Sequence, residues 1–290
     1  MSFKGIISDT ATSFASEKNQ GEAARHARRA VRRKFSFSQT VFLVTIVFLF
    51  LPLLVLIIYS FNDAAGMNWT VFSLRWYRRL FSSRELWRAL TNSLIVAVSS
   101  AATATVLGTL GAIGVNWYRF KMRSYVQTIS FLPMILPEII IGVSLSIFFA
   151  GVGIPLGLFS IYVAHTTFNL PFVFLMVMAR LDEFDFSVIE AARDLGATER
   201  QTLFRVTVPV CMPGILSGLL TAITLSLEDF VITFFVAGPG SSTLPIFIYG
   251  AITRRGGVTP VISALSVVMI LGTVLLCITL RNFLKYITPK

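Results

Sequence analysis

Six apolar runs, each long enough to cross a lipid bilayer, constrain this chain more than any other feature of its sequence. They lie at about 40–61, 92–117, 129–150, 158–179, 213–236 and 259–280. A helix needs about 20 mainly apolar residues to span the hydrocarbon core, and it satisfies every backbone polar group within itself. The composition agrees, since 55% of the residues are hydrophobic and 13% are charged. We therefore expect an all-α membrane protein with six transmembrane helices.

Polar ends flank the predicted spans. We expect a basic N-terminal tail at 1–38, a six-span domain at 39–285 and a short C-terminus at 286–290. The basic stretch before the first run, and the run itself, are too long for a signal peptide, so the first span should remain uncleaved. The net charge of +11 would suggest nucleic acid in a soluble protein. No aromatic residue interleaves the arginines of the tail, so we expect no nucleic-acid partner.

The distribution of Lys and Arg predicts which ends of the spans are cytoplasmic. With the N-terminus inside, and the tail counted only from Arg25 onward, the cytoplasmic segments hold sixteen of these residues and the outer loops hold seven. Cytoplasmic loops carry an excess of basic residues, so both termini should be cytoplasmic. The first outer loop departs from this rule with five arginines: Arg75, Arg78, Arg79, Arg84 and Arg88. We expect its segment 73–81 to lie against membrane lipids, and a docking surface for a binding protein is the alternative.

A polar insert between the fourth and fifth runs predicts a helical hairpin at 187–209. Two pairs in it have the spacing of a capping box: Ser187 with Glu190, and Thr198 with Gln201. Gly196 stands where a first helix would end in the left-handed conformation. Pro209 cannot continue a helix interior, so we expect helices at about 188–195 and 199–208. The charge distribution places the hairpin in the cytoplasm.

At these residues the chain resembles the permease subunits of binding-protein-dependent ABC importers. Their cytoplasmic signature is Glu-Ala-Ala, three residues, Gly, nine residues, Ile, one residue, Leu, Pro. It is met here by Glu190, Ala191, Ala192, Gly196, Val206, Val208 and Pro209, with valine in place of Ile and Leu. The resemblance implies a type I importer permease whose hairpin couples to a separate ATPase. A generic amphipathic hairpin, the alternative, would explain the caps but not the whole spacing.

The same resemblance implies the rest of a complex in a bacterial inner membrane. Its partners would be a second similar permease, two ATPase subunits and a periplasmic or extracellular solute-binding protein. This chain has no Gly-x-x-x-x-Gly-Lys phosphate loop, so we expect no enzyme activity, cofactor or metal in it, with ATP and Mg bound by the partner ATPase. An ion-coupled secondary transporter that uses Glu138 and His165 as a proton relay is the rival class. It leaves the coupling signature unexplained.

Polar side chains inside the predicted spans are the candidates for a substrate path. A carboxylate at a helix centre costs on the order of 2.5 to 3.5 kcal/mol on insertion, so it tends to face a cavity or a partner. The candidates are Glu138, Tyr162, His165, Asn169, Glu228 and Asp229. Pro133 and Pro137 predict a kink beside Glu138. The stripe of Tyr162, His165 and Asn169 has interhelical hydrogen bonding as its alternative role. Consecutive residues are about 100° apart on a helix, so the two adjacent acids should point differently.

Further segments resemble the second permease subunit of spermidine/putrescine importers. They are Trp76-Tyr77, Asn92-Ser93-Leu94, 226–239, 244–249 and 263–266. The resemblance implies a polyamine as the solute, with Glu228 or Asp229 recognising its ammonium groups. Another small solute, such as a phosphonate, ferric ion or an amino-acid-like compound, is the alternative. The arginines of the first outer loop do not favour a cationic solute.

Overall fold

The computed structural model describes residues 37–64, 68–118, 120–183, 185, 187–255 and 260–287, where the regular elements are helical. The helices are α1 (Phe37–Ser60), α2 (Arg75–Phe81), α3 (Arg84–Trp117), α4 (Arg123–Ser130), α5 (Leu132–Ile135), α6 (Glu138–Gly151), α7 (Leu158–Asp182), α8 (Ser187–Asp194), α9 (Glu199–Thr202), α10 (Val208–Glu228), α11 (Val231–Val236), α12 (Leu244–Arg255) and α13 (Pro260–Ile287). A π-helix, Leu203–Thr207, joins α9 to α10. The all-α prediction is confirmed. The tail before residue 37 lies outside the described residues.

Four helices in the described part of the chain are long and apolar enough to cross a membrane. They are Phe37–Ser60, Arg84–Trp117, Leu158–Asp182 and Glu199–Glu228. A fifth crossing is formed if Arg123–Ile135 and Glu138–Gly151, which meet at 105°, are one broken span. The sixth predicted run lies on α13, whose described apolar stretch Pro260–Leu275 is shorter. All six runs therefore lie on helices, and the crossings counted by length and composition number four or five.

The predicted proline stop of the hairpin is wrong. The second hairpin helix continues through Pro209 into the fifth predicted span, so that Glu199–Glu228 is one helix of 30 residues. Pro209 is the second residue of α10, directly after the π-helix. A proline inside an α-helix clashes with the carbonyl four residues earlier, and the wider π-turn shifts the hydrogen-bond register at that point. The helix is thereby able to keep its proline.

The predicted fifth span is also interrupted near its C-terminal end. A continuous helix was expected over 213–236, but α10 ends at Glu228 and α11 begins at Val231. Asp229 between them has an extended backbone, with φ −63° and ψ 122°. The break therefore coincides with the acidic pair.

Helices α3, α7 and α10 form the centre of the unit that begins at Tyr59. A Cβ added at Gly108 of α3 would lie 3.0 Å from the Val173 Cβ, and one added at Gly218 of α10 would lie 3.1 Å from the Val173 Cα. Val173 of α7 thus packs against a glycine on each neighbour. Small residues allow such close approach in membranes, where lipid tails remove the hydrophobic drive for helix association. This packing fixes α7, which carries three candidate site residues.

The first outer loop packs against the protein through one face of α2. Trp76 and Leu80 are buried in a cluster with Leu244 and Leu265, and the Trp76 Nε1–H donates to the Asn62 carbonyl at 2.8 Å. The other face of α2 is exposed. The segment predicted as a surface helix therefore has a protein-facing side, and its contact with lipid stays a prediction.

Candidate functional site

The turn of the hairpin has the geometry that the sequence predicts at Gly196. Its φ is +84°, which L side chains rarely adopt. The Ala197 N–H donates to the Ala192 carbonyl at 3.0 Å, and the Gly196 N–H donates to the Arg193 carbonyl at 2.9 Å. These two bonds define a Schellman motif, which satisfies the last carbonyls of a helix. Ala192 of the signature therefore takes part in ending α8.

The two helix starts in the hairpin differ from each other. Thr198 and Gln201 bond reciprocally, side chain to backbone, at 3.3 and 2.9 Å, so this capping box is confirmed. At the other start, Ser187 is itself the first residue of α8, and its N–H donates to the Asp185 carboxylate at 2.9 Å. The cap is thus Asp185 rather than the predicted pair of Ser187 with Glu190. The bonds from Ser187 hold the pKa of the Asp185 carboxyl below its ordinary value.

The signature residues extend over three elements of the hairpin. Glu190, Ala191 and Ala192 lie on α8, Gly196 lies in the turn, Val206 lies in the π-helix, and Val208 and Pro209 begin α10. Ile189 is buried and anchors α8, whereas Leu195 at the tip has 89% of its surface exposed. The Arg193 guanidinium of α8 lies 5.8 Å from the ring of Trp117, at the end of α3.

The acidic candidates meet where two helices are interrupted. Glu138 is the first residue of α6, directly after the 105° bend, so the predicted kink is a full break. Glu228 and Asp229 lie at the break between α10 and α11, and both interact electrostatically with Glu138. A Cβ added at Gly142 of α6 would lie 3.2 Å from the Ile232 Cα, which shows how closely α6 and α11 pack. The structure therefore brings together three acids that the sequence separates by about ninety residues.

The adjacent acids at the second break have different surroundings, as predicted. Asp229 is 8% exposed, whereas Glu228 and Glu138 are exposed. A buried acid needs hydrogen-bond donors, and an exposed acid remains available to a ligand. Of the three carboxylates, Glu138 and Glu228 are the ones with exposed surface.

His165 joins α7 to the break through three hydrogen bonds. Its Nε2 lies 3.1 Å from the Asp229 Oδ2 and 2.8 Å from the Thr233 Oγ1, and its Nδ1 lies 2.6 Å from the Ser226 Oγ. The Thr233 hydroxyl donates to Asp229 at 2.6 Å, so its oxygen is free to accept from His165. An ionised carboxylate only accepts, which assigns the proton to Nε2, and in the neutral ring Nδ1 accepts from Ser226. All four side chains are buried.

Asp229 also caps the short helix α11. Its carboxylate accepts from the N–H groups of Ile232 at 3.2 Å and Thr233 at 2.8 Å. The first N–H groups of a helix have no partner within it, so a carboxylate at this position stabilises the start of α11. The contacts of Asp229 thus hold the break itself in shape.

The other polar residues of α7 have less clear contacts. The Tyr162 hydroxyl lies 2.9 Å from the Thr103 Oγ1 of α3, which is an interhelical hydrogen bond. Asn169 is fully buried, and its side-chain amide has no hydrogen-bond partner among the described residues. The contacts of Tyr162 and His165 agree with the hydrogen-bonding alternative for this stripe.

Sequence reasoning missed Ser226 and Thr233, which complete the network around His165. Ser226 precedes Asp229 by three residues and Thr233 follows it by four, and both separations correspond to about one turn of a helix. Hydroxyl residues in membrane helices often bond the carbonyl four residues back, as Thr224 does to Leu220 at 2.9 Å. No local signal therefore separates a hydroxyl that joins two helices from one that bonds within its own helix.

Solved structures with the same fold belong to ABC transporters. A chain of a transporter involved in the import of the acidic polysaccharide alginate superposes with a TM-score of 0.67 and 16% identity, covering 87% of this chain and 96% of that one. A chain of the inward-facing MetNI methionine transporter gives a TM-score of 0.56 and 22% identity, covering 71% of this chain and 97% of that one. These likenesses establish the fold of the membrane subunit of an ABC importer.

Sequence relatives carry the assignment further. The spermidine/putrescine transport system permease protein PotC of Haemophilus influenzae is 38% identical over 82% of this chain and 92% of its own length. The putrescine transport system permease protein PotI of Escherichia coli K12 is 39% identical over 81% of this chain and 85% of its own length. The family model described as "binding-protein-dependent transport system inner membrane component" matches residues 104–290. The chain belongs to this family of binding-protein-dependent inner-membrane permeases.

Proposed function

We propose that this chain is the permease for spermidine, putrescine or a related polyamine, acting with a second permease, two ATPase subunits and a periplasmic binding protein. Permeases of this family have no catalytic site of their own, and ATP is bound by a separate subunit. The relatives named for spermidine/putrescine and putrescine, at 38% and 39% identity, support the solute. The observation that carries the proposal is the pair of exposed carboxylates, Glu138 and Glu228, at two adjoining helix breaks.

The surroundings of Glu228 suit an extended chain of ammonium groups. Two residues after it, the Phe230 ring lies 4.8 Å from the ring of Tyr249 and 5.5 Å from that of Phe234. Phe234 and Tyr249 are 51% and 47% exposed. A carboxylate forms charge-assisted hydrogen bonds with an ammonium, and an aromatic face attracts a cation by about 0.5 to 2 kcal/mol. Acids and aromatic rings in one place therefore match the chemistry of a polyamine.

Coupling would pass from the ATPase through the hairpin to this site. The exposed Leu195 and the turn at Gly196 are the parts that would contact the ATPase, with Glu190, Ala191 and Ala192 shaping the helix before the turn. The second hairpin helix is continuous with α10, so a displacement at Glu199 is carried about 45 Å along one helix to Glu228. Rigid movement of a packed helix is a common form of switching between conformations.

The membrane topology is part of the same proposal. Six crossings follow if α4 to α6 form one broken span and α13 forms the last. Both termini would then be cytoplasmic, with the basic tail at 1–38 against the inner leaflet, as the excess of Lys and Arg on that side favours. The arrangement places the hairpin at 187–209 where a cytoplasmic ATPase can reach it.

Uptake of radiolabelled spermidine by cells that lack other polyamine importers tests the proposal. Glu138→Gln and Glu228→Gln should each lower uptake about tenfold or more, because each removes a charged hydrogen-bond acceptor. Glu183→Gln is the matched control, since Glu183 is exposed and pairs with Arg180 at 3.0 Å near the hairpin end of α7. Wild-type uptake by both path variants, at equal amounts in the membrane, would contradict the proposed path. Absence of uptake of both radiolabelled spermidine and radiolabelled putrescine by the wild type would refute the solute.

A further inference from the structure

A cleft adjoins the aromatic residues that follow Glu228 in the chain. Its volume is about 870 Å³, and Phe234 and Tyr249 form part of its wall. Both rings also pack against Phe230, which follows Glu228 by two residues. Pockets that bind small molecules have volumes of about 300 to 1,000 Å³. The cleft and the acidic site therefore share a wall, and a single solute of this size class could occupy both.

The rest of the cleft is basic. Three elements each contribute an arginine, namely Arg79 from α2, Arg88 from α3 and Arg254 from α12, and Glu85 is the one acidic residue among the described lining. All three arginines are exposed, and none of them makes an ion pair within the described part of the chain. The cleft therefore has an excess of positive charge that its described lining does not neutralise.

Two of the arginines lie against glycines in the wall of the cleft. A Cβ added at Gly240 would be 3.2 Å from the Nη2 of Arg88, and one added at Gly250 would be 3.4 Å from the Nη2 of Arg254. Gly250 directly follows Tyr249, so the Arg254 guanidinium lies beside the aromatic wall that the cleft shares with the acidic site. Positive and negative side chains thus flank the same aromatic residues.

The two charged parts of this site suit different groups of a solute. The carboxylates of Glu138 and Glu228 match ammonium groups. A guanidinium is always protonated and only donates hydrogen bonds, so it repels an ammonium and pairs with a carboxylate through two N–H donors. A solute with ammonium groups alone would match the acids but not the arginines. A solute that also carries a carboxylate would match both.

We propose that the preferred solute is a diamine or polyamine that carries one carboxylate. Its ammonium groups bind at Glu138 and Glu228, and its carboxylate binds Arg88 and Arg254 in the adjoining cleft. The inference rests on the proposed function, whose solute class it narrows. It also gives a role to arginines of the first outer loop, which do not favour a solute that is only cationic.

The test compares putrescine with ornithine, which is putrescine with one added carboxylate. Binding of each radiolabelled compound is measured by equilibrium dialysis against the purified complex of permeases and ATPases in neutral detergent, without lipid or binding protein. The wild type should bind ornithine at least about tenfold more tightly than putrescine, because charge-assisted hydrogen bonds are added. The double variant Arg88→Gln with Arg254→Gln should raise the Kd for ornithine at least about tenfold. It should leave the Kd for putrescine unchanged or lower it, because positive charge is removed.

Matched variants separate a carboxylate site from a general effect of arginine. Arg78→Gln and Arg84→Gln alter exposed arginines of the same helices α2 and α3 that do not line the cleft. Each should change either Kd less than about twofold. Arg88→Lys with Arg254→Lys keeps the charge but loses the paired donors, so it should retain part of the affinity for ornithine. Glu228→Gln should weaken the binding of both compounds, because both carry ammonium groups.

The other outcomes overturn the proposal in distinguishable ways. Putrescine binding that depends on Glu228, with weaker binding of ornithine to the wild type, refutes the carboxylate site and leaves the polyamine function standing. An unchanged Kd for ornithine in the double Arg→Gln variant does the same. An equal loss of affinity for both compounds in that variant, with intact assembly by gel filtration, shows that the arginines do not read a carboxylate and refutes their assigned role. Failure of the wild type to bind either compound counts against the proposed function and the inference together.

Discussion

Replacing His165 with alanine removes the ring that joins α7 to the break between α10 and α11. Three hydrogen bonds are lost, to Ser226 at 2.6 Å, to Thr233 at 2.8 Å and to Asp229 at 3.1 Å. Asp229 keeps three other donors: the Thr233 hydroxyl, the Thr233 N–H and the Ile232 N–H. The carboxylate is therefore not left without partners, so the cost of about 3 to 5 kcal/mol for breaking a buried ion pair does not apply.

The expected loss can be assembled from smaller contributions. Side-chain hydrogen bonds between membrane helices contribute about 0.6 kcal/mol each, so three lost bonds cost about 2 kcal/mol. Truncating a fully buried ring also leaves a cavity, which adds roughly 1 kcal/mol or more. We expect His165→Ala to lower the free energy of unfolding by about 3 kcal/mol. Asp229→Asn weakens the same network, so the double variant should cost at least about 0.5 kcal/mol less than the sum of the single variants.

The measurement is unfolding of the purified chain in mixed micelles, with the denaturing detergent as the variable and helical circular dichroism as the signal. Thr167→Ala is the matched control on α7, because Thr167 is exposed and bonds only the carbonyl of Val163, at 2.9 Å in its own helix. It should change the free energy of unfolding by less than about 0.5 kcal/mol. A His165→Ala effect as small as that of the control, or strict additivity with Asp229→Asn, would refute the role of the network.

Three further predictions concern the packing at the breaks and the turn of the hairpin. Gly142→Leu should destabilise the chain by about 1 to 3 kcal/mol in a thermal melt, because a Cβ there meets Phe235 at 2.9 Å, whereas Gly151→Ala in the same helix meets nothing within 4 Å and should be neutral. Gly196→Val should assemble in the membrane but hydrolyse ATP with little uptake, because φ of +84° is strained for valine; wild-type uptake per ATP would contradict the coupling role. Lowering the pH should loosen the start of α8. The folded pKa of Asp185 is depressed, so its stabilisation is present above the ordinary value of 3.8 and is lost as the pH falls through the lower folded value. The protection factor of the Ser187 amide, corrected for the intrinsic pH dependence of hydrogen exchange, should show this loss, and in Asp185→Asn this protection factor should no longer change with pH in this range.

The sequence located the helices well, because apolar length alone determines whether a segment can satisfy its backbone inside a membrane. The sequence predicted one of the two helix breaks and not the other. Pro133 and Pro137 predicted the first break, because proline lacks the backbone N–H donor and clashes with the preceding turn of a helix. The break at Asp229 has no proline or glycine beside it, and it depends on donors from α11 and a ring on α7 that sequence spacing does not reveal.

Proline also misled the sequence reasoning once, at Pro209. Whether a proline ends a helix depends on the hydrogen-bond register before it. Pro209 follows the π-helix Leu203–Thr207, and nothing in the sequence of those five residues predicts a π-helix. The acids of the candidate site were found because charge is costly in a membrane. Their different surroundings were predicted from helical spacing, but which acid is buried was not, because Asp229 is bonded to His165, which is 64 residues away in the chain.

The five residues of the π-helix set an angle as well as a length. Each residue of an α-helix turns the chain by about 100°, so removing one residue between Leu203 and Thr207 would rotate everything after it by about that amount relative to the hairpin. Glu228 would then point away from Glu138, although neither acid and no residue of the hairpin turn at Gly196 had changed. The azimuth between that turn and the two acids is therefore encoded in the part of the hairpin that lies between them. Insertions and deletions there would alter that azimuth while leaving the turn and the acids chemically intact.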